Sequence, residues 1–212
     1  MQRLKSRFGK GFQVEIKVAE VDDTDDDYIS IVRTLLQKVK PDLMIDLENS
    51  PISSLAQNIT ANLTTALSAV RALTNDTSIS SLINLTDPSG YVIHKNATSE
   101  AGVTIDELAV FCVEELRMKT VRNFITEKYP DAVLRERQDN KARFEVNSEG
   151  LKISTLFALI EDSKTNLRFS DYGISQTTLE QVFNLHAAAA ETEKQGQHDE
   201  DVGRRCFRFR RS

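Results

Sequence analysis

The sequence predicts an α+β fold, in which helices cover one face of an antiparallel sheet. Three observations carry this. Residues 12–18, Phe-Gln-Val-Glu-Ile-Lys-Val, alternate strictly between apolar and polar. Residues 142–146 repeat that alternation just after a short polar turn. Apolar residues recur at helical spacing over 104–128 and 152–164, between and after these strands.

Taken in order, Phe12, Val14, Ile16 and Val18 share one face of the first strand, and Gln13, Glu15 and Lys17 share the other. The acidic run "DDTDDD" at 22–27 then opens a helix whose stripe is Tyr28, Ile31, Val32, Leu35, Leu36 and Val39, ended by Pro41. Aspartates suit the positive end of the helix dipole. A second helix is expected at about 53–73, with Ile59, Leu63, Ala66, Leu67, Val70 and Leu73 as its stripe. Residues 74–103 are rich in Asn, Ser and Thr, contain "DPSG", and read as loop.

Thr104 and Glu107 stand at capping-box spacing, and the helix they start runs to about Lys128, before Tyr129-Pro130. Strands are expected at 132–138 and 142–147, joined by a turn at "DNK". Helix 152–164 carries Ile153, Leu156, Phe157 and Ile160, and strand 167–174 follows. Thr177 to Glu180 form another capping box, ahead of a final helix with Leu179, Val182, Phe183, His186 and Ala190 along one side. With 22–103 taken as a long, partly helical insertion after the first strand, the order is β-α-β-β-α-β plus a C-terminal helix, the ferredoxin-like plan. The expected organisation is one α+β domain over 1–190, with core 3–20 and 104–190, then a disordered polar and basic tail over 191–212.

The bulk numbers exclude several classes. The chain has 212 residues and a net charge of −5, so no overall basic field draws it to nucleic acid. Two cysteines, Cys112 and Cys206, make no disulfide framework and suit a cytosolic chain. No signal-peptide pattern and no long apolar run stands in it. The acidic run fails as an EF-hand loop, because Tyr28 falls where glycine is needed and Thr34 where glutamate is needed. His94, His186 and His198 share no metal-ligand spacing, and no nucleophile elbow occurs. The Asn-x-Thr triplets at Asn58, Asn62, Asn75, Asn84 and Asn96 read as ordinary composition rather than glycosylation sites.

Both ends of the chain bear a family resemblance. "RLKSRFGKGFQVEIKV" (3–18) and "DYGISQTTLEQVFNLHA" (171–187) resemble the C-terminal regulatory region of subfamily A ATP-binding cassette transporters, as does "KYPDAVLRERQDNKARFEV" (128–146). Leu4, Lys5, Arg7, Phe8 and Gly9 match the first element of that region, and Ser175, Gln176, Thr177, Thr178, Leu179, Glu180, Val182 and Phe183 match its closing helix. The resemblance implies a non-catalytic regulatory domain of an ATP-driven lipid transporter, on the cytoplasmic side of a membrane. Its implied partners are the nucleotide-binding domains and the transporter's other regulatory domain, with the membrane reached only through the parent protein. Leu4, Arg7, Phe8, Gly9, Ser175, Thr178, Leu179, Val182 and Phe183 are its implied structural or interface residues, with none catalytic.

ATP and Mg²⁺ belong to the parent family. This chain has no Walker A spacing, no signature sequence and no Walker B strand. Met1 stands where the family continues from its ATPase core, so the chain reads as a C-terminal fragment, a truncated paralogue or a gene model lacking its front. Two other functions fit the residues: a free-standing ferredoxin-like sensor of small molecules, and a binder of anionic surfaces through "RRCFRFRRS" (204–212).

Overall fold

The computed structural model describes residues 11–41, 52–75 and 77–176. In chain order the elements are β1 (Gly11–Val18), α1 (Asp26–Val39), α2 (Ile52–Asn58), β2 (Thr60–Ala61), α3 (Leu63–Thr74), α4 (Thr77–Leu82), α5 (Tyr91–Thr98), β3 (Val103–Thr104), α6 (Ile105–Lys128), β4 (Val133–Gln138), β5 (Lys141–Asn147), α7 (Ile153–Ser163) and β6 (Phe169–Gln176). The α+β class is as the sequence predicts. The expected final helix lies outside the described residues.

Strands β4, β5, β1 and β6 form one sheet in that order, every neighbouring pair antiparallel. Val14 stands opposite Phe144 on one side and Ile174 on the other. The alternation in β1 therefore acts as read: Phe12, Val14, Ile16 and Val18 are buried. They pack with Ala142, Phe144 and Val146 of β5, Met118, Val121 and Ile125 of α6, and Leu156 and Ile160 of α7. Each large side chain buried here contributes about 1.5–3 kcal/mol. The turn between β4 and β5 places Asp139 at φ 49°, a left-handed conformation that Asp tolerates.

A second core lies among the helices of 26–103 and the first half of α6. Tyr28, Val32, Leu35, Val70, Ile79 and Ile93 are buried in it together with Ile105, Leu108, Phe111 and Cys112. Helix α6 thus belongs to both cores. Its 24 residues span about 36 Å at 1.5 Å each. The first half is buried on nearly every side, and the second half narrows to the stripe Met118, Val121, Ile125. The capping box at its start is complete: Glu107 N–H donates to Thr104 Oγ1 at 3.1 Å, and Thr104 N–H to Glu107 Oε2 at 2.9 Å.

Two expectations are corrected. The single helix over 53–73 is two, α2 and α3, separated by β2. Thr60 and Ala61 leave the helical path to pair with Thr104 and Val103. Asn62 restarts the helix by accepting from Thr65 N–H at 2.9 Å. The stretch 74–103, read as loop, contains α4 and α5. Its polar composition hides Ile79, Ile83, Ile93 and Ala97, whose burial in the helical core outweighs weak local propensity. Between these helices Gly90 lies so close to Leu82 that a Cβ there would stand 2.0 Å from the Leu82 carbonyl oxygen. The expected helix over 152–164 is present as α7, with Leu156 and Ile160 facing the core and Ile153 and Phe157 each 41% exposed. Helix α7 lies on the sheet with nothing over its outer flank among the described residues, so only part of its wide apolar stripe finds a partner.

The five asparagines of the Asn-x-Thr triplets hold backbone or helix ends. Asn58 donates to Ser54 O, Asn62 caps α3, and Asn75 takes the left-handed position after α3 at φ 49°. Asn84 accepts from Thr86 and Asp87 N–H in a turn. Asn96 donates to Glu107 Oε1 at 2.7 Å, tying α5 to the capping box of α6.

Candidate functional site

Where the two cores meet, α1, α6 and the start of β6 bring four charged side chains together. Asp25 is the N-cap of α1, its Oδ1 accepting from Asp27 N–H at 3.1 Å. The same carboxylate takes Arg117 of α6 on Oδ2 and Arg168 on Oδ1, the latter at 2.6 Å. Arg117 also donates to Ala19 O at 3.2 Å, and Asp27 Oδ2 lies 3.5 Å from both Arg117 Nη2 and Arg168 Nε. Arg168 sits at φ 53°, a strained position for a non-glycine residue, next to the strand that it starts.

The inner half of this cluster is shielded from water, while Arg168 and Asp27 remain exposed at its rim. The side chain of Arg117 is 6% exposed and that of Asp25 is 10% exposed. Burial alone raises the Asp25 carboxyl, but the hydrogen bond from Arg117, the Asp27 amide, the Arg117 charge and the Arg168 hydrogen bond outweigh it and hold it below the usual carboxylate range. Beside the cluster is an open cleft of about 390 Å³, lined by Ser30, Ile31, Leu116, Thr120 and Asn166 along with Arg117.

A second, partly buried ion pair joins α6 to the edge strand β4. Arg137 meets Glu115 with both guanidinium nitrogens, Nη1 to Oε2 at 2.8 Å and Nη2 to Oε1. Glu115 is 5% exposed. This fork-to-fork geometry is the form in which an ion pair best offsets its desolvation. Neighbouring Glu114 is raised above its ordinary value by burial first and then by the Glu115 charge. Cys112, one turn before, is buried; burial and then the Glu115 charge push its thiol up to about 12. Tyr28 donates to Asp106 Oδ1, and burial followed by that hydrogen bond raises its phenol.

The outer face of the sheet is a polar surface with Gln13, Glu15, Lys17, Lys141 and Arg143 around a shallow groove of about 480 Å³. Arg143 pairs with Glu136 at 2.8 Å and Glu15 at 3.4 Å, and Arg135 with Glu145 at 2.7 Å. Glu15 stands opposite Arg143, while Lys17 stands opposite Lys141 on one side and Asp171 on the other, so both signs are interspersed on this face.

Of the sequence-predicted site residues only Ser175 is described. It lies opposite Gln13 on the exposed side of β6 and lines that groove. Leu4, Arg7, Phe8, Gly9, Thr178, Leu179, Val182 and Phe183 lie outside the described residues, so the structure does not bring the two ends together or separate them. Asp25, Arg117, Arg168, Glu115 and Arg137 had no part in the sequence-level site. The one local signal was charge within an apolar helix, Glu115 and Arg117 amid Cys112, Val113, Leu116 and Met118. Among the described residues no group of three or more His, Cys, Asp or Glu stands where it would hold a metal, and no helix is long and apolar enough to cross a membrane.

Comparison with known proteins singles out the second half of the chain. Residues 107–176 match the family described as ABCA1-like, C-terminal R1 regulatory domain. The chain is similar to human ATP-binding cassette sub-family A member 2, 35% identical over 66 residues, which are 31% of this chain and 3% of that protein. It is similar to the human retinal-specific phospholipid-transporting ATPase ABCA4, 36% identical over 76 residues, 36% of this chain and 3% of that protein. The bovine ABCA4 is 38% identical over 63 residues, 30% of this chain and again 3% of the relative. The matched region thus spans about 3% of the length of these relatives. The subfamily A resemblance read from the sequence is shown, and the matched segment is the stretch from α6 to β6.

Proposed function

We propose that this chain, which carries an ABCA1-like C-terminal regulatory domain in residues 107–176, is a non-catalytic interaction piece of an ATP-driven lipid transporter. Its role is to couple the transporter's nucleotide-binding domains, with ATP and Mg²⁺ held by those domains. The observation that carries the reading is where the match falls. It covers the sheet's β4, β5 and β6, α7, and nearly all of α6, the one helix among the described residues that both cores share. A stiff rod anchored at one end in the sheet and at the other in a helical layer passes a displacement along its length, which is what coupling two neighbours requires. The ferredoxin-like plan is part of this reading. The strand order β4-β5-β1-β6 supports it, because the hairpin strand β5 sits beside β1 and each helix crossover spans one intervening strand. The partners in this reading are the nucleotide-binding domains and a second regulatory domain, on the cytoplasmic side of the membrane.

The test is to mix the purified chain with nucleotide-binding domains from a subfamily A transporter. Co-elution and a change of two-fold or more in their ATPase rate are expected (about 0.4 kcal/mol in the barrier). Absence of both, or ATP hydrolysis by the chain alone, overturns the reading.

A further inference from the structure

The cleft of about 390 Å³ beside the Asp25 cluster lies where α1, α6 and the turn leading into β6 meet. Its volume falls within the range of small-ligand sites, about 300–1,000 Å³. Arg117 is the most buried charged side chain in its lining, 6% exposed. Arg117 Nη1 donates to Ala19 O and Nη2 to Asp25, but the buried Nε has no hydrogen-bond partner among the described residues. A native fold seldom leaves a buried donor open, and an open one calls for a further acceptor. Arg168 also lines the cleft, with its backbone held at φ 53°. Strained positions of this kind gather at ligand clamps. Arg168 Nη1 is taken by Asp25, while Nη2 makes no hydrogen bond among the described residues.

One oxygen marks the centre of the site. Asp27 Oδ2 lies 3.5 Å from both Arg117 Nη2 and Arg168 Nε, so two guanidiniums from different elements converge on a single acceptor position. Asp27 fills that position poorly. Charge-assisted N–H···O bonds close to about 2.7–2.9 Å, and the Asp27 side chain is 47% exposed. We propose that the cleft binds a phosphate monoester, whose oxygens displace the Asp27 carboxylate from Arg117 and Arg168. A carboxylate ligand would exchange one single charge for another, against a side chain already tethered in place. A phosphate monoester brings a charge of about −1.5 to −2 and three acceptor oxygens. With Asp27 displaced, Arg117 and Arg168 outweigh Asp25 by one positive charge. Ser30 and Asn166 supply a hydroxyl and an amide in the same lining, and Ile31 and Leu116 give the carbon side of the ester an apolar wall. The chemistry is the same whether the phosphate belongs to a soluble ester or to a lipid headgroup. This inference does not depend on the coupling role.

The experiment titrates the full-length chain with glycerol 3-phosphate at constant ionic strength, followed by amide resonances. Saturable binding with a Kd of about 1 mM or below is expected, with shifts at Ser30 and Asn166. Asp27→Asn is expected to bind at least three-fold tighter, whereas Asp26→Asn, the same charge change one residue away, stays within about 1.5-fold of the wild-type chain. Arg168→Gln is expected to weaken binding at least ten-fold, and Arg168→Lys, which keeps the charge and loses the fork, at least three-fold. Circular dichroism checks the fold of each variant, and the two aspartate variants carry the test should the arginine variants unfold. Phosphatidylcholine vesicles with and without phosphatidic acid separate the two sources. Capture by the phosphatidic acid vesicles that Arg168→Gln abolishes assigns a lipid headgroup, and binding of glycerol 3-phosphate without capture assigns a soluble ester. No saturable binding of either probe overturns the proposal. So does equal tightening by Asp27→Asn and Asp26→Asn, or binding that Asp27→Asn and Arg168→Gln leave unchanged, as for phosphate held by the arginines of 204–212.

Discussion

Arg168 Nη1 donates a 2.6 Å hydrogen bond to Asp25 Oδ1 across 143 positions of sequence. The contact fastens the start of β6 to the first turn of α1. Arg117 completes it from the helix that both cores share, so one carboxylate holds three elements.

Replacing Asp25 by Ala is therefore expected to destabilise the chain by about 3 kcal/mol. It leaves the nearly buried Arg117 without its main partner and removes the cap of α1. Urea unfolding followed by circular dichroism measures it. Asp26→Ala, at the exposed neighbouring position, is expected to change stability by no more than about 0.5 kcal/mol. Equal losses for the two would mean that the cluster adds nothing beyond helix-dipole charge.

The same carboxylate sets a pH dependence. Its folded pKa lies below the unfolded value of about 3.9. A group depressed in the folded state contributes stability above its unfolded pKa and loses it as pH falls through the folded value. The stability gap between the wild-type chain and Asp25→Asn should stay constant from pH 7 to about 5 and narrow below about 4. A gap that widens on acidification would contradict the sign.

Glu115 and Arg137 should behave as a unit. Glu115→Gln leaves the partly buried Arg137 guanidinium without its counter-charge and is expected to cost about 2 kcal/mol. Glu115→Leu combined with Arg137→Met is expected to recover at least half of that, because two matched apolar groups need no desolvation. Additive losses in the double variant would show that the two residues do not interact.

Cys112 is expected to be inert while the chain is folded. With its thiol pushed up to about 12, almost no thiolate exists at pH 8. In a Cys206→Ser chain, alkylation by iodoacetamide should follow the unfolding rate and accelerate on adding urea. Rapid labelling in native buffer would place Cys112 outside the core.

Much of this architecture was legible because its causes are local. The alternation of β1, the capping box of α6, the hairpin beside Asp139 and the helical spacing of α7 all rest on relations within a few residues. The break at Thr60–Ala61 was not legible, because its cause is a pairing with Val103–Thr104, about forty positions later. Helices α4 and α5 were hidden for a similar reason: two or three apolar side chains in each suffice only because α3 and α6 cover them. The Asp25–Arg117–Arg168 cluster left one mark in the sequence, the charge of Arg117 within an apolar helical stretch, and nothing that joined it to Asp25 or Arg168.

By itself, then, the sequence determined the α+β class, most strand and helix positions, and the subfamily A resemblance, since periodicity, caps and short matched stretches are written in neighbouring residues. Tertiary structure alone decided that α6 serves two cores, that the helical layer has its own interior, and that buried ion pairs join these parts. Those outcomes depend on which distant groups exclude water from one another, and solvent exclusion is a property of the folded assembly rather than of any segment.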